Sequence, residues 1–485
     1  AAIGTSITDT RTSALRLDSK TASLYYPNVF TIANINMSSS AYIEESDDAR
    51  RQMQSFFAMA QLGYKESLYL DVTARNDWSS TLAFTERKSR GFFYPSVGLS
   101  WIIPKSFSMP SLISFGKVRA SWSKVGNDIP LFVSNTVGHI AAGGIPQPND
   151  TAPFGTLKPE MSSSFEIGTE WKFFDYRMDV DITFYKTNTK NQLFSLPSSA
   201  GAAYKYYFVN AGNIQNMGVE LTFGAVPILT NQFKWNTTLN FSRNKNEVKK
   251  LHDDLASFIQ GDEGFSSSYT MRLVEGGSFG DIYGKALERD KYGAIVYGRD
   301  GLPQEIGSGN TAKVGNCNPA FLLGWGNSFT YKDFSFYFLI DGHFGGDVLA
   351  QTQAVLDQTG VSKVSGEART MGYVDLEGHH IYNIKGFYEQ VGGRNGVTEY
   401  YMYDATNIRL RELSLGYTLP KRLLGRKQFL KKAELSFVAR NLFFIYKKAP
   451  FDPDAVLSAS NSNQGIDIFG IPTTRSVGFN VKLSF

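Results

Sequence analysis

The amino-acid sequence predicts an all-β protein, a transmembrane antiparallel β-barrel that crosses a membrane with strands. Three observations predict this fold class: the balance of aromatic content and hydropathy, a two-residue alternation of apolar and polar side chains, and an alternation of short and long connections. Aromatic residues make up 14% of the 485 residues, yet the mean hydropathy is slightly negative, at −0.22. This combination is typical of a sheet that has one face in lipid and the other in water.

Apolar and polar side chains alternate along many segments, for example in residues 177–185 and 233–241. In a strand, this alternation places the two kinds of side chain on opposite faces. A transmembrane helix would need about 20 consecutive apolar residues, and no stretch of the sequence has them. The C-terminal segment alternates most regularly, with an apolar face made of Val477, Phe479, Val481, Leu483 and Phe485.

The predicted connections between strands alternate in length. Tight turns are predicted at Lys65–Glu66, Asp175–Tyr176 and Lys332–Asp333, each between two alternating segments. Outer-membrane barrels have short turns on the periplasmic side and long loops outside the cell. Long extracellular loops are predicted near residues 127–162, 191–207, 249–320, 345–404 and 447–472.

The alternating segments predict 13 spanning strands within residues 53–485, and residues 1–52 are expected to form an extracellular loop region. The strand-like segment Ser278–Glu288 is assigned to an extracellular excursion, because counting it would reverse the side of the Lys332–Asp333 turn. An odd number of strands places the start of the chain outside the cell and its C-terminus in the periplasm. Single-chain bacterial barrels have even strand numbers, so the barrel wall is expected to be incomplete. The apolar phase changes near Arg411–Glu412, which predicts a β-bulge there.

The residues that usually carry catalysis or bind metals do not form recognisable motifs. Cys317 is the single cysteine, and the five histidines lack metal-ligand or catalytic-triad spacing. Acidic and basic residues are interspersed, with a net charge of +4, which argues against nucleic-acid binding. We therefore predict no enzyme activity, no metal and no cofactor. Calcium at Asp341 and Asp347 is the alternative to a simple glycine-rich turn, and the segment Asp290–Gly301 lacks calcium-ligand spacing.

Several short segments match the motifs of one protein family, in that family's order. The chain resembles the SusC/RagA-type TonB-dependent transporters of Bacteroidota outer membranes. The resemblance extends from residue 70 to the C-terminus. The matching segments include Leu70–Leu82, Tyr94–Trp101, Val118–Asp128, Leu157–Glu160, Phe165–Glu170, Asn210–Glu220, Asn318–Lys332, Asp341–Asp347, Ala405–Pro420 and Arg440–Phe443.

The resemblance implies a plugged barrel of roughly 22 strands in the outer membrane of a Gram-negative bacterium, surrounded by outer-membrane lipid. This chain would supply about 13 C-terminal strands. The plug domain of the family has no match in the sequence, so we expect it upstream or on another polypeptide. The terminal Phe485 resembles the signal that the barrel-assembly machinery recognises.

The resemblance also implies a function: import of an oligosaccharide or oligopeptide together with a SusD-like lipoprotein lid, powered by the TonB complex through the plug. Transporter–lid pairs could associate as dimers. Two alternatives stay open. One is a TonB-dependent siderophore or cobalamin receptor without a lid, and the other is a non-transporting barrel that serves as a scaffold.

Two groups of residues are candidate sites. Tyr204, Tyr206 and Tyr207 could stack on a substrate, and the favoured alternative is an aromatic girdle at the membrane interface. Four charged residues are expected to face the lumen and to dock the plug rather than to bind substrate; these are Asp179, Asp181, Arg409 and Arg411.

Overall fold

The structure is a computed structural model, and its main element is an antiparallel sheet of 14 strands that follow one another in chain order. It describes the whole chain except residues 19–22, 37–41, 86–90, 135–136, 142–144, 148, 153–156, 199–200, 253–255, 261–267, 310, 425–429 and 457–462. The strands are β1 (Ala2–Asp18), β2 (Tyr42–Tyr64), β3 (Leu68–Ser79), β4 (Gly91–Ile102), β5 (Ile113–Asn127), β6 (Glu160–Phe173), β7 (Met178–Pro197), β8 (Tyr206–Leu229), β9 (Phe233–Lys250), β10 (Phe321–Tyr331), β11 (Phe334–Phe344), β12 (Asn407–Thr418), β13 (Lys432–Lys447) and β14 (Ser476–Ser484).

The strand β1 corrects two of our predictions. Residues 1–52 are not simply a loop region, because they contain β1 and the first part of β2. The sheet therefore has 14 strands instead of 13. Ala2 pairs with Met59, so β1 begins close to the short-turn end of β2 rather than at the long-loop end. The apolar alternation of β1 was hard to detect because Ile3 and Ile7 are separated mainly by small residues.

The three predicted tight turns are present. Lys65 and Glu66 both adopt positive φ angles, 50° and 51°, between β2 and β3. Asp175 and Lys332 do the same in the turns before β7 and β11. A two-residue hairpin turn needs positive φ to match the twist of its strands. Each of these turns joins an even-numbered strand to the next odd-numbered strand, so in the antiparallel order all three lie at one end of the sheet.

The long connections lie at the opposite end. Four of them run over residues 128–159, 251–320, 345–406 and 448–475. The loop predicted near 191–207 is shorter, because β7 continues to Pro197 and β8 begins at Tyr206. Both strands have 20 or more residues, whereas about 10 suffice to cross a membrane. The outer ends of these two strands are therefore the residues that the sequence analysis predicts as part of the loop.

The strand β11 has the two faces that the alternation predicted. On β11 the apolar face includes Phe334, Phe336 and Phe338, and the polar face includes Asp341 and His343. The register of β12 shifts between its pairs with Leu339 and Ile340 on β11, and between Leu410 and Glu412 in its pairing with β13. This irregularity confirms the predicted bulge at Arg411 and explains why the apolar phase of β12 changes there.

The chain divides into two compact units. The first contains residues 1–101, 119–166 and 187–214. Its buried cluster includes Leu82, Phe92 and Leu157, and it has a short hairpin of His139–Ala141 and Ile145–Gln147 and two 3-10 helices, Ile32–Asn34 and Ser80–Leu82. The second unit contains residues 102–118, 167–186 and 215–485.

The second unit contains a folded body that we call the excursion domain, made from residues 251–320, 345–406 and 448–475. Its hydrophobic core joins side chains from all three segments, among them Ile282, Phe387 and Ile466, each fully buried. Its described residues form three α-helices: α1 (Gln351–Gln358), α2 (Lys363–Met371) and α3 (Ile384–Val391). Short strands complete it: Ser257–Gln260, Tyr269–Val274, Asp281–Gly284, Ala286–Leu287, Glu305–Ile306, Ala312–Asn316, Asp347–Ala350, Val374–Leu376, His379–Ile381, Met402–Asp404 and Ile466–Asp467.

The rest of the second unit has two 3-10 helices, Ile103–Lys105 and Lys421–Leu423, and the excursion domain has a third, Thr398–Tyr401. The segment Ser278–Glu288 belongs to the excursion domain and not to the large sheet, as predicted. Among the described residues, no helix is long and apolar enough to span a membrane.

Candidate functional site

A cleft of about 490 Å³ lies on the polar face of the second unit, where five strands approach the excursion domain. It is built by the polar-face residues of β8 to β12 and by one residue of the connection 448–475. Its size falls within the range of small-ligand sites. The polar and charged side chains that line it include Glu220, Asn240, Asp341, His343, Asn407, Arg411 and Asp454.

Arg411 is the cation of this cleft. The bulge of β12 positions its guanidinium beside Asp341 of β11, and Nε donates to Oδ2 at 2.9 Å. Arg411 also donates to Asn441 at 3.1 Å and lies 3.8 Å from Asp454. The lining therefore combines three carboxylates, of Glu220, Asp341 and Asp454, with one guanidinium. Such a lining favours ligands that donate hydrogen bonds or carry positive charge.

Two buried polar atoms of the cleft residues have no hydrogen-bond partner among the described residues. These are Oδ1 of Asp341 and Nε2 of His343. The two residues are two positions apart on β11, so their side chains share the polar face. Both atoms can accept a hydrogen bond when the imidazole is neutral.

Arg409 is buried among residues of this chain. Its side chain is only 1% exposed and donates to Asp454 at 2.7 Å and to Asp452 at 3.2 Å. It also lies over the ring of Phe444, 4.3 Å from the centroid, and donates to Thr473. These contacts fasten β12 to the connection 448–475. The Nε of Arg409 has no hydrogen-bond partner among the described residues, and a role of Arg409 toward a plug stays a prediction.

Asp452 is the buried partner in this group. Burial alone would raise the pKa of Asp452, but hydrogen bonds from Thr473 and from the backbone of Asp454, together with the charge of Arg409, hold that pKa below its usual value. The carboxylate therefore stays ionised. We missed Asp452, Asp454 and Thr473 in the sequence, where Asp452-Pro-Asp454 reads as an ordinary turn.

Asp179 and Asp181 lie on β7, outside the lining of the cleft. Asp179 covers Gly224 of β8 so closely that a side chain at that glycine would collide with its carboxylate. Asp181 is half-buried and lies 3.4 Å from the hydroxyl of Thr183. A role of either residue toward a plug stays a prediction.

The three predicted tyrosines are in the first unit, at the start of β8. Tyr206 and Tyr207 are neighbours in a strand and so point to opposite faces. Tyr204, Tyr206 and Tyr207 are 38%, 45% and 37% exposed. They cannot form one continuous stacking surface. Stacking on a ligand and anchoring at the membrane interface both stay predictions for these tyrosines.

The other candidate groups have structural partners. His379 stacks on Tyr297 and His380 on Tyr373, both with ring centroids 4.0 Å apart. Asp347 accepts a hydrogen bond from the backbone of Asn316, and burial raises the pKa of Asp347. Within the described residues, no cluster of three or more His, Cys, Asp or Glu side chains could hold a metal ion. Burial raises the pKa of the Cys317 thiol to about 11, which makes it unreactive.

Phe485 follows β14, where alternate apolar side chains are exposed. Phe479 is 76% exposed and Phe485 61%. The backbone carbonyl of Phe485 accepts a hydrogen bond from Lys431. This geometry leaves the terminal ring accessible, and its use as an assembly signal stays a prediction.

Comparison with known proteins places the chain in a family. Residues 4–442 match the model of the family described as TonB dependent receptor-like, beta-barrel. TonB-dependent receptor P3 of Formosa agariphila is 26% identical over 92% of this chain, and TonB-dependent receptor SusC of Bacteroides thetaiotaomicron is 22% identical over 92%. The chain covers 47% and 46% of these two proteins, so it spans about half the length of the curated relatives it matches.

The fold also matches a solved structure. The RagAB peptide importer in its open-open state superimposes with a TM-score of 0.71 at 19% identity, over 91% of this chain and 48% of that chain. The resemblance to SusC and RagA that the motifs indicated is therefore confirmed. Proteins of this family are receptors and transporters rather than enzymes, and they lie in the Gram-negative outer membrane. The chain belongs to the TonB-dependent receptor-like β-barrel family.

Proposed function

We propose that this chain is the C-terminal barrel part of an importer that takes up an oligosaccharide or oligopeptide, in a TonB-dependent manner, with a SusD-like surface lipoprotein. The acid-rich cleft carries the proposal. It has the volume of a ligand site, and it lies where the polar face of the sheet meets the excursion domain. A barrel that served only as a scaffold would not need such a site.

The relatives support this proposal without naming a substrate for this chain. SusC is named a TonB-dependent receptor, and RagAB is described as a peptide importer. In our proposal the lipoprotein covers the substrate on the outer side. TonB then acts on a plug that other residues of the protein supply, and the C-terminus of this chain lies in the periplasm. Transporter–lid pairs would associate as dimers.

The chemistry of the cleft suggests how a substrate is held. Saccharide hydroxyls, peptide amides and protonated amines can all donate hydrogen bonds to the carboxylates of Glu220, Asp341 and Asp454. Arg411 keeps the Asp341 carboxylate in place and neutralises one of the three negative charges. A polyanionic ligand would meet uncompensated negative charge.

The test is uptake by cells that carry the full-length gene. A gene deletion is expected to abolish uptake of either a labelled oligosaccharide mixture or a labelled oligopeptide mixture, and a TonB deletion is expected to do the same. Arg411→Met should reduce uptake, whereas Arg440→Met, which removes an exposed arginine paired with Glu412, should not. Unchanged uptake of both mixtures in the deletion strain would refute the proposal. Loss of siderophore or cobalamin uptake instead would favour a receptor without a lid.

Peptide mapping of the purified complex provides a second test. We expect one polypeptide of about twice the 53.9 kDa of this chain, or a second chain with a plug, together with a lipoprotein. A complete gene product without any plug would leave a scaffold or a passive pore.

A further inference from the structure

An apolar groove of about 440 Å³ lies at the short-turn end of β10 to β14, on the apolar face of the sheet. On β11 its lining residues Phe334 and Phe336 have the opposite phase to Asp341 of the acid-rich cleft, so the groove and the cleft lie on opposite faces. We call it the leucine groove, and its lining includes Phe329, Tyr331, Phe336, Leu415, Leu435 and Phe479. Because the family lies in the outer membrane, this face of the sheet meets lipid.

Two leucines lie between aromatic side chains in this groove. Leu415 pairs with Phe336 on β11 and with Phe437 on β13, and Leu435 pairs with Tyr417 on β12. The surrounding rings pack on one another, with centroids 6.0 Å apart for Phe329 and Phe336, 4.7 Å for Phe334 and Tyr417, and 5.7 Å for Phe437 and Phe479. Leucine is shorter than the rings beside it, so a trough is left above Leu415 and Leu435. The packed rings keep this trough open before anything binds.

The connection at the end of the leucine groove is strongly basic. It joins β12 to β13 through residues 419–431, which include five basic residues and no acidic residue. The backbone N–H of Leu419 donates to Ala433 at 2.8 Å, so the connection starts directly beyond Tyr417 and Leu435 of the groove. The other short connections between strands of the sheet contain at most one basic residue each. Positive charge at this end of the sheet is therefore concentrated beside the groove.

Two exposed cations lie close to the groove on either side of its end. Lys332 is in the turn between β10 and β11, and its Nζ lies 5.4 Å from the centroid of the Tyr331 ring, which lines the groove. Arg422 is in the 3-10 helix that follows β12, and it is exposed. An anionic group between these side chains would be attracted by both of them.

An apolar trough with cations at one end matches the chemistry of an anionic phospholipid. The trough would hold an acyl chain, and the cations would meet the phosphate. Basic clusters at a membrane surface attract anionic lipids. A transmembrane protein partner would need small residues that allow close approach, whereas the walls of this groove are aromatic. Outer-membrane barrels have their short turns on the periplasmic side, which places the headgroup in the inner leaflet.

We propose that the leucine groove is a binding site for an anionic phospholipid, with one acyl chain along Leu415 and Leu435 and the phosphate beside Lys332 and Arg422. Such a site differs from the general lipid layer around a barrel, because it selects the charge of the headgroup and retains one molecule. The inference does not rest on the proposed function, since it involves neither the substrate nor the lipoprotein.

The experiment measures lipid binding to the full-length protein in detergent by native mass spectrometry. Dioleoyl phosphatidylglycerol and dioleoyl phosphatidylethanolamine serve as probes, because they have the same acyl chains and differ in headgroup charge. We expect the wild type to bind phosphatidylglycerol at least about tenfold more tightly, since each lysine or arginine near the headgroup adds to the attraction. Equal binding of the two lipids would overturn the inference and make the groove part of the general lipid layer.

A first variant fills the groove. Leu415→Trp with Leu435→Trp should weaken binding of phosphatidylglycerol at least about tenfold, because the indole rings occupy the trough. The matched control is Leu62→Trp with Leu99→Trp, at two leucines that are 63% and 44% exposed near the short-turn ends of β2 and β4. The control should bind like wild type. Unchanged binding in a folded groove variant would overturn the inference.

A second variant removes the cations. Lys332→Gln with Arg422→Gln should lower the affinity for phosphatidylglycerol to that for phosphatidylethanolamine, and binding of phosphatidylethanolamine should not change. The control, Lys65→Gln with Arg299→Gln, removes one exposed lysine and one exposed arginine elsewhere and should keep the preference. A preference that survives in the Lys332 and Arg422 variant would overturn the inference.

Folding of every variant is checked by heat-dependent gel mobility. If the tryptophan variant does not fold, Leu415→Phe with Leu435→Phe replaces it, and this variant should also weaken binding of phosphatidylglycerol. Loss of phosphatidylglycerol binding in the charge variant alone, with a folded groove variant unaffected, would overturn the inference by assigning the effect to surface charge without the groove.

Discussion

Arg409 and Asp452 form a buried ion pair between the strand β12 and the connection 448–475. Their side chains are 1% and 6% exposed, and the Nη2 of Arg409 lies 3.2 Å from Oδ1 of Asp452. Asp454 adds a second carboxylate at 2.7 Å. Because a buried charge without a partner is costly, we expect loss of either partner to loosen the attachment of the connection 448–475 to β12.

Arg409→Met is expected to destabilise the protein by about 3–5 kcal/mol, because it leaves Asp452 buried without its cation. The measurement is guanidinium unfolding of the full-length protein in lipid vesicles. Arg440→Met is the matched control, since Arg440 pairs with Glu412 at the surface and should cost less than about 1 kcal/mol. Equal losses of unfolding free energy in the two variants would show that the buried pair stabilises the protein no more than the surface pair.

A fall in pH should release the connection 448–475 from its contacts with β12. The pKa of folded Asp452 lies below its usual value of 3.8, so the ionised carboxylate stabilises the fold at every pH above 3.8. That stabilisation is lost as the pH falls through the folded value. We expect exchange of the Thr473 amide, which donates to Asp452, to accelerate only below pH 3.8 after correction for the intrinsic rate. A peptide from β10 provides the reference, and acceleration near neutral pH would contradict the assignment.

Tyr401→Phe is expected to loosen the excursion domain. The hydroxyl of Tyr401 donates to Asp357 at 3.0 Å, and both residues are almost fully buried. Removing one partner of a buried hydrogen bond costs about 1–3 kcal/mol, although Gln353 still donates to Asp357. Hydrogen exchange of α1 and α3 measures the loss. Tyr382→Phe, at an exposed ring, should leave exchange unchanged.

Substitution by alanine should change the stability of α2 in opposite directions at Gly366, inside the helix, and at Gly372, which ends it. Gly372 has a φ of 85° and open space around it, so Gly372→Ala costs about 1–2 kcal/mol through backbone strain alone. Gly366 lies inside the helix, where Gly366→Ala should stabilise by about 0.5–1 kcal/mol. Exchange protection of α2 in the two variants tests this. A loss at both positions would indicate that the helix end differs from the one described.

Local patterns in the sequence predict much of the fold. The alternation of side chains identified most strands, and the phase change in β12 located its bulge at Arg411. Tight turns were recognisable because two or three polar residues separate two alternating segments, as at Lys332. The strand β1 escaped detection because the face that carries Ile3 and Ile7 continues with the charged residues Asp9 and Arg11.

The excursion domain was not predictable in the same way. Its core joins residues as distant in the sequence as Tyr269 and Ile468, and no local period connects them. The helix α2 does have local signals, the cap Ser362 and the terminal Gly372, but these say nothing about which face is buried. The exposure of Val364 and Met371 depends on how the helix packs in the domain, and only the structure shows it.

The sequence by itself determined the fold class, the family and the two faces of the sheet, because these depend on side-chain order along single strands. Only the tertiary structure decided the role of Arg409. On its strand it was one more charged residue on the polar face, and its partners Asp452 and Asp454 lie more than 40 positions later in the chain. Pairing across that distance depends on how the long connection folds back, which alternation along one strand cannot encode.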